Sequence, residues 1–91
     1  MPVTIATAEV AEQLRQLAAE QAGLEPADIT LECHLQNDLN LDSLDQVEFA
    51  MGIEETFDIT IPDEQAQQVR TVAHAVELVK RLLRQARPAQ T

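Results

Sequence analysis

The chain has 91 residues, 45% of them hydrophobic, with Phe49 and Phe57 as its only aromatics, so it is long enough for one compact domain with an aliphatic core and too short for two. Its formal net charge is −10, and all 16 acidic residues lie in positions 1–79, where Arg15 and Arg70 are the only cations. That balance argues against nucleic acid or anionic membrane as partners of the main body and favours basic proteins.

Residues 1–7 read as a disordered start. From Thr7, a candidate N-cap, the apolar positions Val10, Leu14, Leu17, Ala18 and Ala22 keep helical spacing, and Gly23 is a natural stop in the left-handed conformation. Residues 24–41 have no clean period. Their scattered leucines predict a long loop that straps down onto the helices. Asp42 is placed to cap a second helix that opens with Ser43 and Leu44 and runs to about Phe57. A connection over Asp58 to Pro62 leads to a short helix over Asp63 to Val69. Thr71 then caps a last helix, with Val72, Ala75, Val76, Val79, Leu82 and Leu83 on one face. Its basic end (Lys80, Arg81, Arg84) suits the negative pole of the helix dipole. Pro88 falls in a flexible tail over 85–91. The fold class is all-α: a small bundle of three main helices and one short helix, with a long first loop.

No apolar run approaches the roughly 20 residues needed to cross a bilayer, and the N-terminus lacks a basic start followed by an apolar stretch. One cysteine, Cys33, cannot form an internal disulfide. The expectation is a soluble, cytoplasmic, monomeric protein. Cys33, His34 and His74 give no ligand pairs at zinc spacing, so no metal site is expected.

The second helix carries two apolar stripes. At about 100° per residue from Leu44, the residues Phe49, Ala50, Ile53 and Phe57 cluster between about 140° and 240°, while Leu44, Val47 and Met51 cluster between about 300° and 360°. Asp45, Glu48, Glu54 and Glu55 surround the second cluster. Carboxylates are almost never buried unpaired, so the first stripe is assigned to the core and the second to the surface, as an apolar centre in an acidic ring. Met51 suits such a surface because a flexible thioether adapts to different partners.

Ser43 stands at the start of this helix, where backbone N–H groups and the helix dipole favour a phosphate. No base is spaced to activate it. His34 lies nine residues upstream, and the remainder of a Ser–His–acid set is missing. Ser43 therefore reads as a residue that another enzyme modifies, and the chain as a substrate of other enzymes and not an enzyme, with no catalytic residues of its own.

The run Asp38-Leu39-Asn40-Leu41-Asp42-Ser43-Leu44-Asp45 resembles the attachment motif of stand-alone acyl carrier proteins. The similarity continues through Val47-Glu48, Ile53-Glu54-Glu55-Thr56-Phe57, Ile61-Pro62-Asp63-Glu64 and Thr71-Val72, and Gly23 lies where that family ends its first helix. It covers about residues 8–83 without gaps, so residues 8–84 are read as the carrier domain. The resemblance implies a 4′-phosphopantetheine arm, attached to the Ser43 hydroxyl by a phosphopantetheinyl transferase and flanked by Asp42 and Leu44. It implies acyl groups riding on the arm's thiol as thioesters. It implies that Asp45, Val47, Glu48, Met51, Glu54, Glu55 and Asp63 meet acyl-processing enzymes with basic docking patches. It implies an acyl pocket near Phe49, Ile53, Phe57, Ile61 and Val69.

The chain departs from the family in carrying Asn40 where glycine is usual, and asparagine is the next residue best able to adopt positive φ. Gln65, Gln67 and Gln68 replace a more charged third helix. Cys33, Leu41 and the basic tail are also atypical, which keeps a carrier dedicated to one acyl, polyketide or lipid pathway beside a fatty-acid carrier. A peptidyl or aryl carrier of a nonribosomal pathway is the nearest alternative, disfavoured by Asp45 and Glu48. An EF-hand reading of Asp38, Asn40 and Asp42 lacks the glycine and the glutamate that such a loop requires, since Ser43 and Phe49 hold those places. An acidic decoy or inhibitor would leave the Asp42-Ser43-Leu44 motif unexplained.

Overall fold

In a computed structural model the chain is described over residues 7–86. Four α-helices follow in order: α1 over Thr7–Ala22, α2 over Ser43–Phe57, α3 over Asp63–Ala66 and α4 over Val72–Ala86, with a 3-10 turn at Pro26–Asp28 in the first loop. No strand is formed among the described residues, and the bundle is the all-α architecture expected. Helix α1 packs against both α2 and α4. No helix among the described residues is long and apolar enough to cross a membrane.

The helix ends follow from local chemistry. Gly23, at φ +72°, closes α1, and the Leu24 N–H returns to the Ala19 carbonyl at 2.9 Å in a Schellman arrangement. Thr71 caps α4 by accepting the His74 N–H on Oγ1 at 3.1 Å. Asp58 ends α2 in the left-handed region, at φ 55° and ψ 52°. Three boundaries differ from the sequence-based expectation. Thr7 is the first residue of α1 and not its cap, α3 stops at Ala66 and not Val69, and α4 continues through Ala86, past the expected start of the tail at residue 85. Of the expected disordered start over residues 1–7, Thr7 is helical and residues 1–6 lie outside the described residues, as do Pro88 and the rest of the tail beyond Ala86.

The core runs through Val10, Leu14 and Ala18 of α1, Phe49 and Ile53 of α2, and Val72, Val76 and Val79 of α4. The long loop belongs to this core, because Ile29, Leu35, Leu39 and Leu41 are all buried in it. Each contributes about 1.5–3 kcal/mol by leaving water, which offsets much of the entropy lost in ordering the loop. Polar contacts fix its course. Arg15 of α1 donates from Nε to the Ile29 carbonyl at 2.8 Å and from Nη2 to the Pro26 carbonyl at 2.9 Å, while Nη1 pairs with Glu12 at 2.9 Å. The Leu35 N–H reaches the Arg70 carbonyl at 2.8 Å, and the Val72 N–H reaches the Cys33 carbonyl at 3.1 Å. The loop is thereby tied to the first turn of α4. It then turns back through Asn40, at φ +62°, to deliver Asp42 to the head of α2.

Candidate functional site

The head of α2 is held by a reciprocal capping box. Asp42 Oδ1 accepts the Asp45 N–H at 2.8 Å, and Asp45 Oδ2 accepts the Asp42 N–H at 3.2 Å. Ser43 is the first helical residue and is exposed. One residue further, Leu44 is 65% exposed, and Val47 and Met51 continue the line at 54% and 51%. On the opposite face Phe49 and Ile53 are buried, at 4% and 3%. The two stripes lie on the faces expected of them; Phe57, in the last turn of α2, is partly buried and packs against the core.

The acidic residues divide into different environments. Glu48 and Glu55 are exposed and Asp45 is half-buried. Gln21, in the last turn of α1, donates from Nε2 to Glu48 Oε1 at 2.7 Å and lies 3.5 Å from Asp45 Oδ1, so a neutral amide holds both carboxylates from the neighbouring helix. Glu54 is turned inward. Its Oε2 accepts the Ile61 N–H at 2.7 Å, joining α2 to the segment before α3, so this carboxylate has a structural bond that a surface acid lacks. Asp63 is exposed in the first turn of α3. The ion pairs among the described residues are Arg15–Glu12 and Lys80–Glu77, so the carboxylates around Ser43 have no cationic partner there.

A cavity of about 30 Å³, partly open to the surface, lies beneath α2. Its walls are apolar apart from Gln46, and they include Leu35, Phe49, Ile53, Ile61, Val69 and Leu78. Phe57, grouped with them from sequence, is not part of the wall. Gln46 follows Ser43 by one helical turn and donates from Nε2 to the Leu41 carbonyl at 3.0 Å. His34 takes no part at the head of α2. Its Nδ1 accepts the Gln36 and Asn37 N–H groups at 3.3 and 3.2 Å and shapes its own turn.

A family model described as a phosphopantetheine attachment site matches residues 12–79, which is most of the chain. The chain belongs to the phosphopantetheine-attachment family. Its cofactor is therefore a covalently attached 4′-phosphopantetheine, and the protein is a phosphopantetheine carrier. Such carriers are typically substrates that bear acyl groups, and they meet a phosphopantetheinyl transferase as well as acyl-processing enzymes. The match spans α2 and α3 and most of α1 and α4, including every site residue singled out from sequence.

Gln21, Gln46 and the inward turn of Glu54 were not singled out from sequence. Gln46 had one available signal, its position three residues after Ser43 on the side of the helix leading to the core stripe. Gln21 and Glu54 act across elements, through contacts with no local pattern.

Proposed function

We propose that the chain is a stand-alone acyl carrier protein, that Ser43 bears the arm, and that its cargo is the acyl intermediate of a fatty-acid, polyketide or other specialised lipid pathway. The observation that carries this reading is the head of α2: an exposed serine in the first turn of a fifteen-residue helix, set by a reciprocal capping box and followed by three exposed apolar side chains among carboxylates. A phosphodiester fits there, because free N–H groups and the positive end of the dipole face it. In the modification step the Ser43 hydroxyl oxygen forms a bond to the β-phosphorus of coenzyme A. The pyrophosphate bond breaks, adenosine 3′,5′-bisphosphate leaves, and the serine proton passes to a base on the transferase. The carrier supplies the nucleophilic oxygen and its position, and the partner supplies the chemistry.

Leu44, Val47 and Met51 form the centre of the docking surface, with Asp45, Glu48, Glu55 and Asp63 as its charged rim toward basic enzyme patches. Glu54 contributes to the field of that rim while holding Ile61. The cavity bordered by Phe49, Ile53, Ile61 and Val69 receives the acyl chain. The protein acts as a monomer in the cytoplasm, with no catalytic residue and no metal of its own. The carrier domain spans residues 8–84.

The test is intact mass. Incubation with coenzyme A and a broad-specificity transferase adds one phosphopantetheine to the parent protein, and Ser43→Ala remains folded and unmodified. Addition of the same mass to Ser43→Ala would move the attachment site elsewhere.

A further inference from the structure

Leu41 is the buried residue immediately before the Asp42-Ser43-Leu44 motif, and both of its backbone groups are held by residues of the cavity wall. Its N–H donates to the Leu35 carbonyl at 2.9 Å. Its carbonyl accepts from Gln46 Nε2 at 3.0 Å. Leu35 and Gln46 both line the cavity, and Gln46 is the one polar side chain among the lining residues. The segment under Ser43 therefore hangs from the cavity wall by two hydrogen bonds. A cavity of about 30 Å³ has room for roughly two or three waters and cannot take even a short acyl chain unless its walls move.

We propose that Gln46 is a positioning residue that couples cargo in the cavity to the backbone beneath Ser43. An aliphatic chain entering past the only amide in an apolar wall displaces that amide from Leu41. The Leu41 carbonyl then loses its side-chain partner, and the turn through Asn40, already at φ +62°, is released from one of its restraints. The consequence appears at the surface that partners touch, so a loaded and an empty carrier differ where they are recognised. This inference rests on the proposed attachment at Ser43 and on the cavity as the seat of the chain.

The experiment compares the holo protein with its octanoyl form, made by transfer from octanoyl-coenzyme A and verified by mass, using backbone amide and methyl NMR with amide hydrogen exchange. Two variants, Gln46→Leu and Gln46→Met, remove the donor while keeping an apolar side chain of similar length. The expected result in the parent is a shift of the Ile53, Ile61 and Val69 methyls together with a shift and a several-fold faster exchange at Leu41. In both variants the methyl shifts persist while the response at Leu41 shrinks to near zero. Methyl shifts without any response at Leu41 in the parent would overturn the coupling and leave the carrier reading standing. A full response at Leu41 in the variants would take Gln46 out of it. Absence of the methyl shifts would overturn both the coupling and the cavity as cargo seat. Because the parent comparison needs no variant, it decides the first point even if a substitution disturbs folding.

Discussion

Gln21 on α1 and Glu48 on α2 are joined by a 2.7 Å hydrogen bond, and the same amide lies 3.5 Å from Asp45. The donor is neutral, so it orients two carboxylates without cancelling their charge. Preorganised charge of this kind favours association with a basic surface, because less freedom is lost on docking. Gln21→Ala is expected to leave the melting temperature nearly unchanged and to weaken transferase binding by a few-fold. Gln21→Lys is expected to raise the melting temperature, lower the association rate at low salt and flatten its salt dependence. Surface kinetics across a salt series check this, and a Gln21→Lys variant that associates as fast as the parent would remove the electrostatic role.

The two stripes of α2 predict opposite mutational behaviour. Val47→Ala with Met51→Ala removes only exposed side chains, so stability stays within about 0.5 kcal/mol of the parent while dissociation from the transferase speeds up. Phe49→Ala empties a buried site and costs roughly 3–5 kcal/mol. Phe57→Ala costs less than Phe49→Ala, since that residue is only partly buried. Urea melts run beside the kinetics separate the cases, and a Phe57→Ala loss equal to that of Phe49→Ala would contradict the partial burial of Phe57.

Asn40 occupies positive φ in the turn before the motif. A β-branched residue is strongly disfavoured there, and Asn40→Val is expected to cost about 1–2 kcal/mol, with Asn40→Gly close to the parent. Chemical denaturation of the three proteins measures the order directly. Equal stability of parent and Asn40→Val would mean that the turn relaxes to another conformation.

Carboxylates dominate the surface, and Arg15, one of the two cations before Lys80, is committed to the loop carbonyls of Pro26 and Ile29. Self-repulsion among Asp38, Asp42, Asp45 and Glu48 is therefore expected to limit stability. Sodium chloride or millimolar magnesium should raise the melting temperature by screening or bridging these charges. A melting temperature unmoved by both would show that the repulsion is already relieved in the fold.

Much of the site was legible in the sequence because its signals are local. The cap at Asp42, the left-handed Gly23 and Asn40, and the opposed stripes of α2 each depend on a few neighbouring residues. What stayed hidden depends on chain segments meeting in space. Arg15 reaches carbonyls 11 and 14 residues away, and nothing in its own helix distinguishes it from a solvated arginine. Glu54 sits at a position that the helical wheel assigns to the acidic ring, yet the backbone of Ile61 passes close enough to capture it. The short helix ends earlier than its sequence suggests for a related reason. Past Ala66 the chain has an apolar residue to place, Val69, and uses it to wall the cavity instead of adding a helical turn.

The void beneath α2 also has a mechanical meaning. Packing gaps of this kind are eliminated when a chain unfolds, which lowers the volume of the unfolded state. Compression favours whichever state occupies less volume, so hydrostatic pressure bears on the folded state at this region. That softness lies directly under the helix that other proteins would grip.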